Sequence, residues 1–329
     1  MELSRRDFIK NLLKIGSGAA AIGALGSLAA CAGESVPPSA SPPASGTAPA
    51  QQPTVIPAPP GRAYLAAARG ANPGQIVRAA VMALGGMERF VQKGNDVIIK
   101  PNICVDYYTY DYAVTTNPEV VGELVKLCIA AGAGRVRVMD QPFGGTARQA
   151  YDRTGIAKAV TGAGGEMEIM SKMKFKDIAI PDGRDLKKWS VYADALDTDV
   201  LINVPIAKHH SLGRLTLGMK NLMGLIEERG QFHFNLGQRV ADLTSLLRPE
   251  LTVVDAVRIL TNHGPTGGSL SDVKLMNTVI ASHDIVAADT YAAGLFGLTG
   301  EDVPSIRAAV AMGLGTADLK SVKVEEISV

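Results

Sequence analysis

The sequence predicts an α/β fold over residues 61–329, a largely parallel sheet flanked by helices. Two observations carry this. Short apolar runs alternate with longer stretches of helical spacing, the pattern of strand–helix–strand connections. The strongest runs, Asp96-Val-Ile-Ile-Lys100 and Asp199-Val-Leu-Ile-Asn203, are apolar at every interior position, as in strands covered on both faces. A third observation adds detail. Near 165–195 the runs are weaker and more polar, which predicts a small antiparallel excursion from the main sheet.

Taken in order, residues 63–68 read as a first strand. Helical spacing continues over 73–91, with Asn72 as N-cap and Pro73 at the first helical position. A buried strand is expected over 96–100. Asn117 caps a second helix that carries Pro118 and Glu119 in its first turn and stops at Gly132. A strand over 135–139 precedes helices over 146–153 and 156–161. Weaker strands fit 167–170, 175–180 and 189–192. A strong strand over 199–203 leads to helices over 216–226 and 237–247. Strands over 251–255 and 277–282, helices over 285–296 and 303–312, and a last strand over 322–327 complete the domain.

The first sixty residues have a different character. Arg5-Arg6-Asp7-Phe8-Ile9-Lys10 precedes an uncharged Ala/Gly-rich stretch that ends in Leu28-Ala29-Ala30-Cys31. This is the order of an export signal, and the paired arginines resemble the twin-arginine signal of bacteria. The stretch falls short of the ~20 apolar residues a spanning helix needs. Leu-Ala-Ala-Cys resembles a lipobox, which makes Cys31 the expected lipidation site. Residues 1–30 are thus read as signal peptide and residues 31–60, rich in Pro, Ser and Ala, as a tether unable to bury a core. The expected location is the cell envelope, lipid-anchored, with the membrane and the twin-arginine translocase as partners.

Composition narrows the function. Lys+Arg number 33 against 32 Asp+Glu, so no strongly basic face for nucleic acid is indicated. Three cysteines without a Cys-x-x-Cys give no motif for an iron–sulfur cluster. Cys104 and Cys128 are left either to pair or to stand free, and Cys128, in an apolar helical run, reads as a core residue. No strand leads into G-x-G-x-x-G, no P-loop ending comes after the glycine loops at residues 144–145 and 264–268, and no G-x-S-x-G is present.

Ligands of open α/β sheets bind beyond the carboxyl ends of the strands. Here the strands end in Lys100-Pro101-Asn102, Asp140, Asn203 running on to Lys208-His209-His210, Asp255 running on to His263, and His283-Asp284. Together they predict a polar pocket. Lys100 and Lys208 supply charge for an anion. Gly144 and Gly145 open onto a helix start whose free N–H groups suit a phosphate or carboxylate. His209, His263 and Asp289 are the expected ligands of any divalent metal, although no regular ligand spacing specifies one. His209 and His210 point to opposite sides of an extended chain, so at most one faces the pocket. Tyr107, Tyr108, Tyr110 and Tyr112 crowd one loop beside it, a lid or docking surface.

Several segments resemble the domain-of-unknown-function family numbered 362. They are Val-Ile-Ile-Lys100-Pro101-Asn102, Thr115-Thr116-Asn117-Pro118-Glu119, Asn203-Val-Pro205-Ile-Ala-Lys208-His209-His210 and Met219-Lys220-Asn221-Leu-Met-Gly224, with Val254-Asp255 and Ala288-Asp289 further on. The resemblance adds Lys220 and Asn221 to the candidate ligand-binding residues Lys100, Asn102, Asn203 and Asp255. It implies little chemistry beyond a hint of redox work, since some members are joined to ferredoxin modules, and this chain lacks the cluster cysteines. Two readings stand. One is an enzyme on an anionic small molecule or bound cofactor, with Lys208, His209 and Asp140 as catalytic candidates. The other is a lipid-tethered binding or accessory protein for an exported redox partner.

Overall fold

The computed structural model describes residues 61–329. The export signal, Cys31 and the tether lie outside the described residues. The strands are β1 (Leu65–Arg69), β2 (Asp96–Pro101), β3 (Arg135–Val138), β4 (Glu166–Met167), β5 (Phe175–Ala179), β6 (Lys188–Tyr192), β7 (Val200–Val204), β8 (Ile206–His210), β9 (Arg214–Thr216), β10 (Leu251–Leu260), β11 (Val273–Ser282) and β12 (Val324–Ser328). The helices are α1 (Pro73–Ala83), α2 (Pro118–Ala130), α3 (Ala147–Arg153), α4 (Ile156–Gly162), α5 (Asp194–Asp197), α6 (Gly218–Asn221), α7 (Arg229–Phe232), α8 (Leu236–Leu247), α9 (Ile285–Gly294) and α10 (Pro304–Ala311).

The main sheet runs β12-β1-β11-β10-β7-β2-β3-β4, and the β8-β9 hairpin joins it along the far half of β10. Its centre, β10-β7-β2-β3-β4, is parallel, while β11 lies antiparallel to both β10 and β1. Strands β5 and β6 form a separate antiparallel pair, the expected excursion. It begins later than 165, because β4 pairs parallel to β3 in the main sheet. The strand alternation sends Val97, Ile99, Val200 and Ile202 into one core and Ile98 and Leu201 into the other. By the same parity Lys100 and Asn203 fall on the Ile98 face.

The caps behave as the sequence predicts. Asn72 accepts from Gln75 N at 3.0 Å and Asn117 from Glu119 N at 2.9 Å. The helix expected over 73–91 stops at Ala83, because Gly85 and Gly86 take positive φ values that end it. The helix expected over 216–226 is not formed as one element. Residues 206–216 instead make the β8-β9 hairpin, and beyond it the chain makes only the single turn α6 and a 3₁₀ turn, Leu222–Leu225. Gly218, Asn221 and Gly224 are poor helix formers. Among the described residues no helix is long and apolar enough to cross a membrane.

Asp289, expected as a metal ligand, holds α6 in place. It is buried, and its two carboxylate oxygens accept from Gly218 N at 2.6 Å and Met219 N at 3.0 Å. Removing the acceptor orphans two buried donors at ~1–3 kcal/mol each. Asp289→Ala should therefore lower unfolding stability by about 2–6 kcal/mol in urea titrations, and Asp289→Asn, which keeps one acceptor oxygen, by less.

Candidate anion-binding site

The site is built from the end of β2. Lys100 is fully buried, yet every donor has a partner: Asp140 Oδ1 at 2.8 Å, Pro101 O at 2.9 Å and Asn221 Oδ1 at 3.1 Å. Asp140, at the end of β3, also accepts from Ile103 N at 2.6 Å and Gln141 N at 2.9 Å. Asn221 donates to Asn203 Oδ1 at 2.9 Å, and Asn203 donates to Gly218 O at 2.8 Å. Asn102 donates to Asn221 Oδ1 at 2.9 Å and accepts from Lys208 Nζ at 3.0 Å, which also reaches Val114 O at 2.7 Å. The ends of three strands are thus joined through α6. Gly224 is required above this network, because a Cβ there would fall on the Asp140 carboxylate and the Lys100 side chain.

Above the network lies a cavity of about 360 Å³. Lys100, Lys208, Lys220 and Arg229 line it against one carboxylate, Asp140, which is already paired with Lys100. Among the described residues the side chains of Lys208 and Arg229 bond only neutral oxygens, and the Lys220 ammonium makes no hydrogen bond or ion pair. Arg229 is aimed by Gln141, whose backbone O and Oε1 it meets at 2.8 and 2.6 Å. Burial, and then the charge of Lys208, pull the Lys220 ammonium down to about 7. Burial lowers Lys100 to about 8, outweighing the opposing pull of Asp140. The guanidinium of Arg229 is lowered by burial as well.

Three neutral groups complete the lining. Burial, then Lys220, press the His210 imidazole down to about 3, so its ring is neutral. Its Nδ1 accepts from Leu212 N at 3.2 Å and Gly213 N at 3.1 Å, which leaves Nε2 to carry the proton. Thr216 is 4 % exposed and its Oγ1 has no partner. Cys104 is buried with a free thiol, its Sγ 3.7 Å from Pro265 O. The cavity therefore offers cations and neutral donors, the complement of an oxyanion.

Lys100, Asn102, Asp140, Lys208, Lys220 and Asn221 come together here. Asn203 stands one layer beneath. Four expectations are corrected. Along β8 the side chains alternate, so His210 accompanies Lys208 into the cavity while His209 turns away and accepts from Gly264 N at 3.1 Å. Asp255 is buried away from the cavity and accepts from Asn117 N at 2.7 Å and Val257 N at 2.9 Å. The loop of Gly144 and Gly145 is filled from within: Gly144 N bonds Cys104 O, and the Asp106 carboxylate occupies the helix start, accepting from Thr146 N at 3.0 Å. The metal ligands do not assemble. His263 is exposed and pairs with Asp272 at 2.8 Å, and no group of three or more His, Cys, Asp or Glu able to hold a metal occurs among the described residues. His210, Arg229, His233, Thr216 and Cys104 are the lining residues that sequence reasoning missed. A strand reading of 206–210 would have selected His210 by parity with Lys208.

Residues 97–294, more than half of the chain, match the family model described as Domain of unknown function (DUF362). The chain belongs to the DUF362 family. Every residue named in the cavity lies inside the DUF362 match. A thylakoid-associated protein of Synechocystis sp. is 26 % identical over 253 residues, covering 72 % of this chain and 74 % of that protein. Among solved structures, the lactate racemase apoprotein from Thermoanaerobacterium thermosaccharolyticum matches with a TM-score of 0.45 and 12 % identity over 72 % of this chain and 58 % of that one. A structural-genomics protein from Thermotoga maritima matches with a TM-score of 0.44 and 10 % identity over 70 % and 60 %. The DUF362 chain covers less than two thirds of either solved chain.

The buried pair gives a pH-dependent expectation. Asp140→Asn leaves Lys100 charged and uncompensated, which should cost about 3–5 kcal/mol of stability at pH 6. Even with Asp140 pulling it up, burial holds the Lys100 pKa at about 8, and without Asp140 it lies lower, so by pH 9 the amine is neutral in both proteins and the penalty is gone. Denaturation at pH 6 and pH 9 should show the gap between variant and wild type shrinking as pH rises.

Proposed function

We propose that this protein binds a small anionic molecule, a phosphate or carboxylate, in the cavity at the strand ends and acts on it by proton transfer. The observation that carries the reading is the uncompensated charge: the side chains of Lys208, Lys220 and Arg229 have no carboxylate partner, and the Lys220 Nζ has no hydrogen-bond partner among the described residues. Lys208 is buried and Lys220 and Arg229 are half-buried at the cavity wall, and a cation withdrawn from water is costly unless an opposite charge meets it. A ligand that brings the negative charge supplies what the fold withholds.

Lys220 suits the proton-transfer step. In the empty cavity burial brings this amine to about 7, and a bound anion raises it, so that the ammonium stands beside the ligand as a general acid. Arg229 and Lys208 would orient the anion, the Nε2–H of His210 and the Thr216 hydroxyl would complete its hydrogen bonds, and Lys220 would take or return the proton. The Lys100–Asp140 pair, saturated by its own partners, holds the strand ends in register.

In this reading the cavity works at the cell envelope, after twin-arginine export and lipidation of Cys31. The order of residues 1–60 supports that location. Cys31→Ser should move the protein from the membrane to the soluble fraction on cell fractionation. Retention in the membrane would overturn the lipid anchor.

Calorimetric titration with inorganic phosphate, oxalate and pyruvate tests the pocket. At least one should bind, with affinity falling about tenfold or more between pH 6 and pH 9 as Lys220 loses its proton. Lys220→Ala should abolish binding at pH 6, and Lys220→Arg should retain it with the pH dependence flattened. Absence of binding by all three anions at pH 6 would sink the reading.

A further inference from the structure

The cavity changes character from floor to rim. Its floor is the Lys100–Asp140–Asn221–Asn102–Lys208 network. Its walls include Ile103, Met223 and Pro265. At the rim stand Phe143 and Leu212, 71 % and 67 % exposed, and both line the cavity. An exposed apolar side chain taken singly needs no explanation. These two are unusual in being held at the mouth of a cationic cavity by bonds to its own lining. Phe143 N donates to Cys104 O at 2.7 Å, and Leu212 N donates to His210 Nδ1 at 3.2 Å. Their backbones are fixed while their side chains remain unpacked.

Resting on the anion reading above, we propose that the ligand is an amphiphile: a phosphate or carboxylate head seated among Lys208, Lys220 and Arg229, with a single apolar chain leaving across Phe143 and Leu212. Each part answers a separate deficit of the cavity. The head supplies the missing negative charge. The chain covers two apolar side chains that the fold leaves in water. A small hydrophilic anion would leave this second deficit standing. A soluble single-chain amphiphile and one resident in a membrane share this chemistry.

The test uses the full chain carrying Cys31→Ser, so that no lipid or detergent enters the assay. Ethyl, butyl, hexyl and octyl phosphate are titrated at pH 6 beside the carboxylates of the same chain lengths. Every buried methylene adds up to about fourfold in affinity, from ~0.8 kcal/mol per group, so octyl phosphate or octanoate should bind at least thirtyfold more tightly than its ethyl counterpart. In Phe143→Ser/Leu212→Ser, two exposed positions that leave the core intact, the short member should keep its affinity within about twofold while the gain with chain length disappears. Equal affinity for short and long members in the wild type overturns the amphiphile and leaves the anion site standing. Failure of every member to bind overturns both. Co-sedimentation with vesicles containing dihexadecyl phosphate, lost in the rim variant, assigns the ligand to a membrane. Binding of octyl phosphate without co-sedimentation assigns it to solution.

Discussion

The buried contact between Lys100 and Asp140 is the interaction on which the arrangement of the site depends. Two unit charges have been taken out of water at the ends of neighbouring strands, and their 2.8 Å separation offsets the cost only because the remaining donors and lone pairs are also met. Asn221 meets one of them and in doing so ties α6 to β2. Asn203 ties the same residue to β7. Asn102 carries the network on to Lys208 at β8. Gly224 leaves the space the pair occupies. The spacing Lys-Asn-x-x-Gly over residues 220–224 thus acquires a physical meaning: one residue faces the cavity, one locks the strand ends, and one makes room.

A saturated floor beneath unsaturated cations divides the labour within the cavity. Lys100 has a counter-charge and a full set of acceptors, so its burial is a structural matter. The Lys220 side chain, half-buried at the cavity wall, has neither, and on that contrast the proposed ligand role rests. The same contrast separates two buried carboxylates from Asp140. Asp255 and Asp289 spend their oxygens on backbone N–H groups and fix Asn117 and α6, respectively. They are as deeply buried as any candidate residue, yet neither lines the cavity.

The parallel strands were legible because β2 and β7 are apolar on both faces, a pattern few other elements share. Asn72 and Asn117 marked two helix starts by a bond that forms within three residues. The features that escaped sequence reasoning lay where tertiary contacts override local pattern. Residues 206–210 carry a lysine and two histidines and read as a strand end running into loop, while the edge of β10 in fact extends them as β8. That single omission placed His209 where His210 belongs. Gly144 and Gly145 looked like a seat for an external anion, and only the fold reveals that Asp106 already occupies it. Arg229 comes from a short turn with no pattern of its own, and its approach is set by Gln141, distant in sequence.

At the centre of the proposed site is an amine whose Nζ has no partner among the described residues. Calorimetric titration of the wild-type protein with phosphate at pH 8, repeated in two buffers of different ionisation enthalpy, counts the protons exchanged on binding. Because Lys220 titrates near 7 in the empty cavity, an arriving anion should raise its pKa and draw in a proton. Uptake approaching one proton per phosphate, absent in Lys220→Arg, is the predicted result. Binding with no proton uptake would contradict the assignment of Lys220 as the uncompensated charge of the cavity.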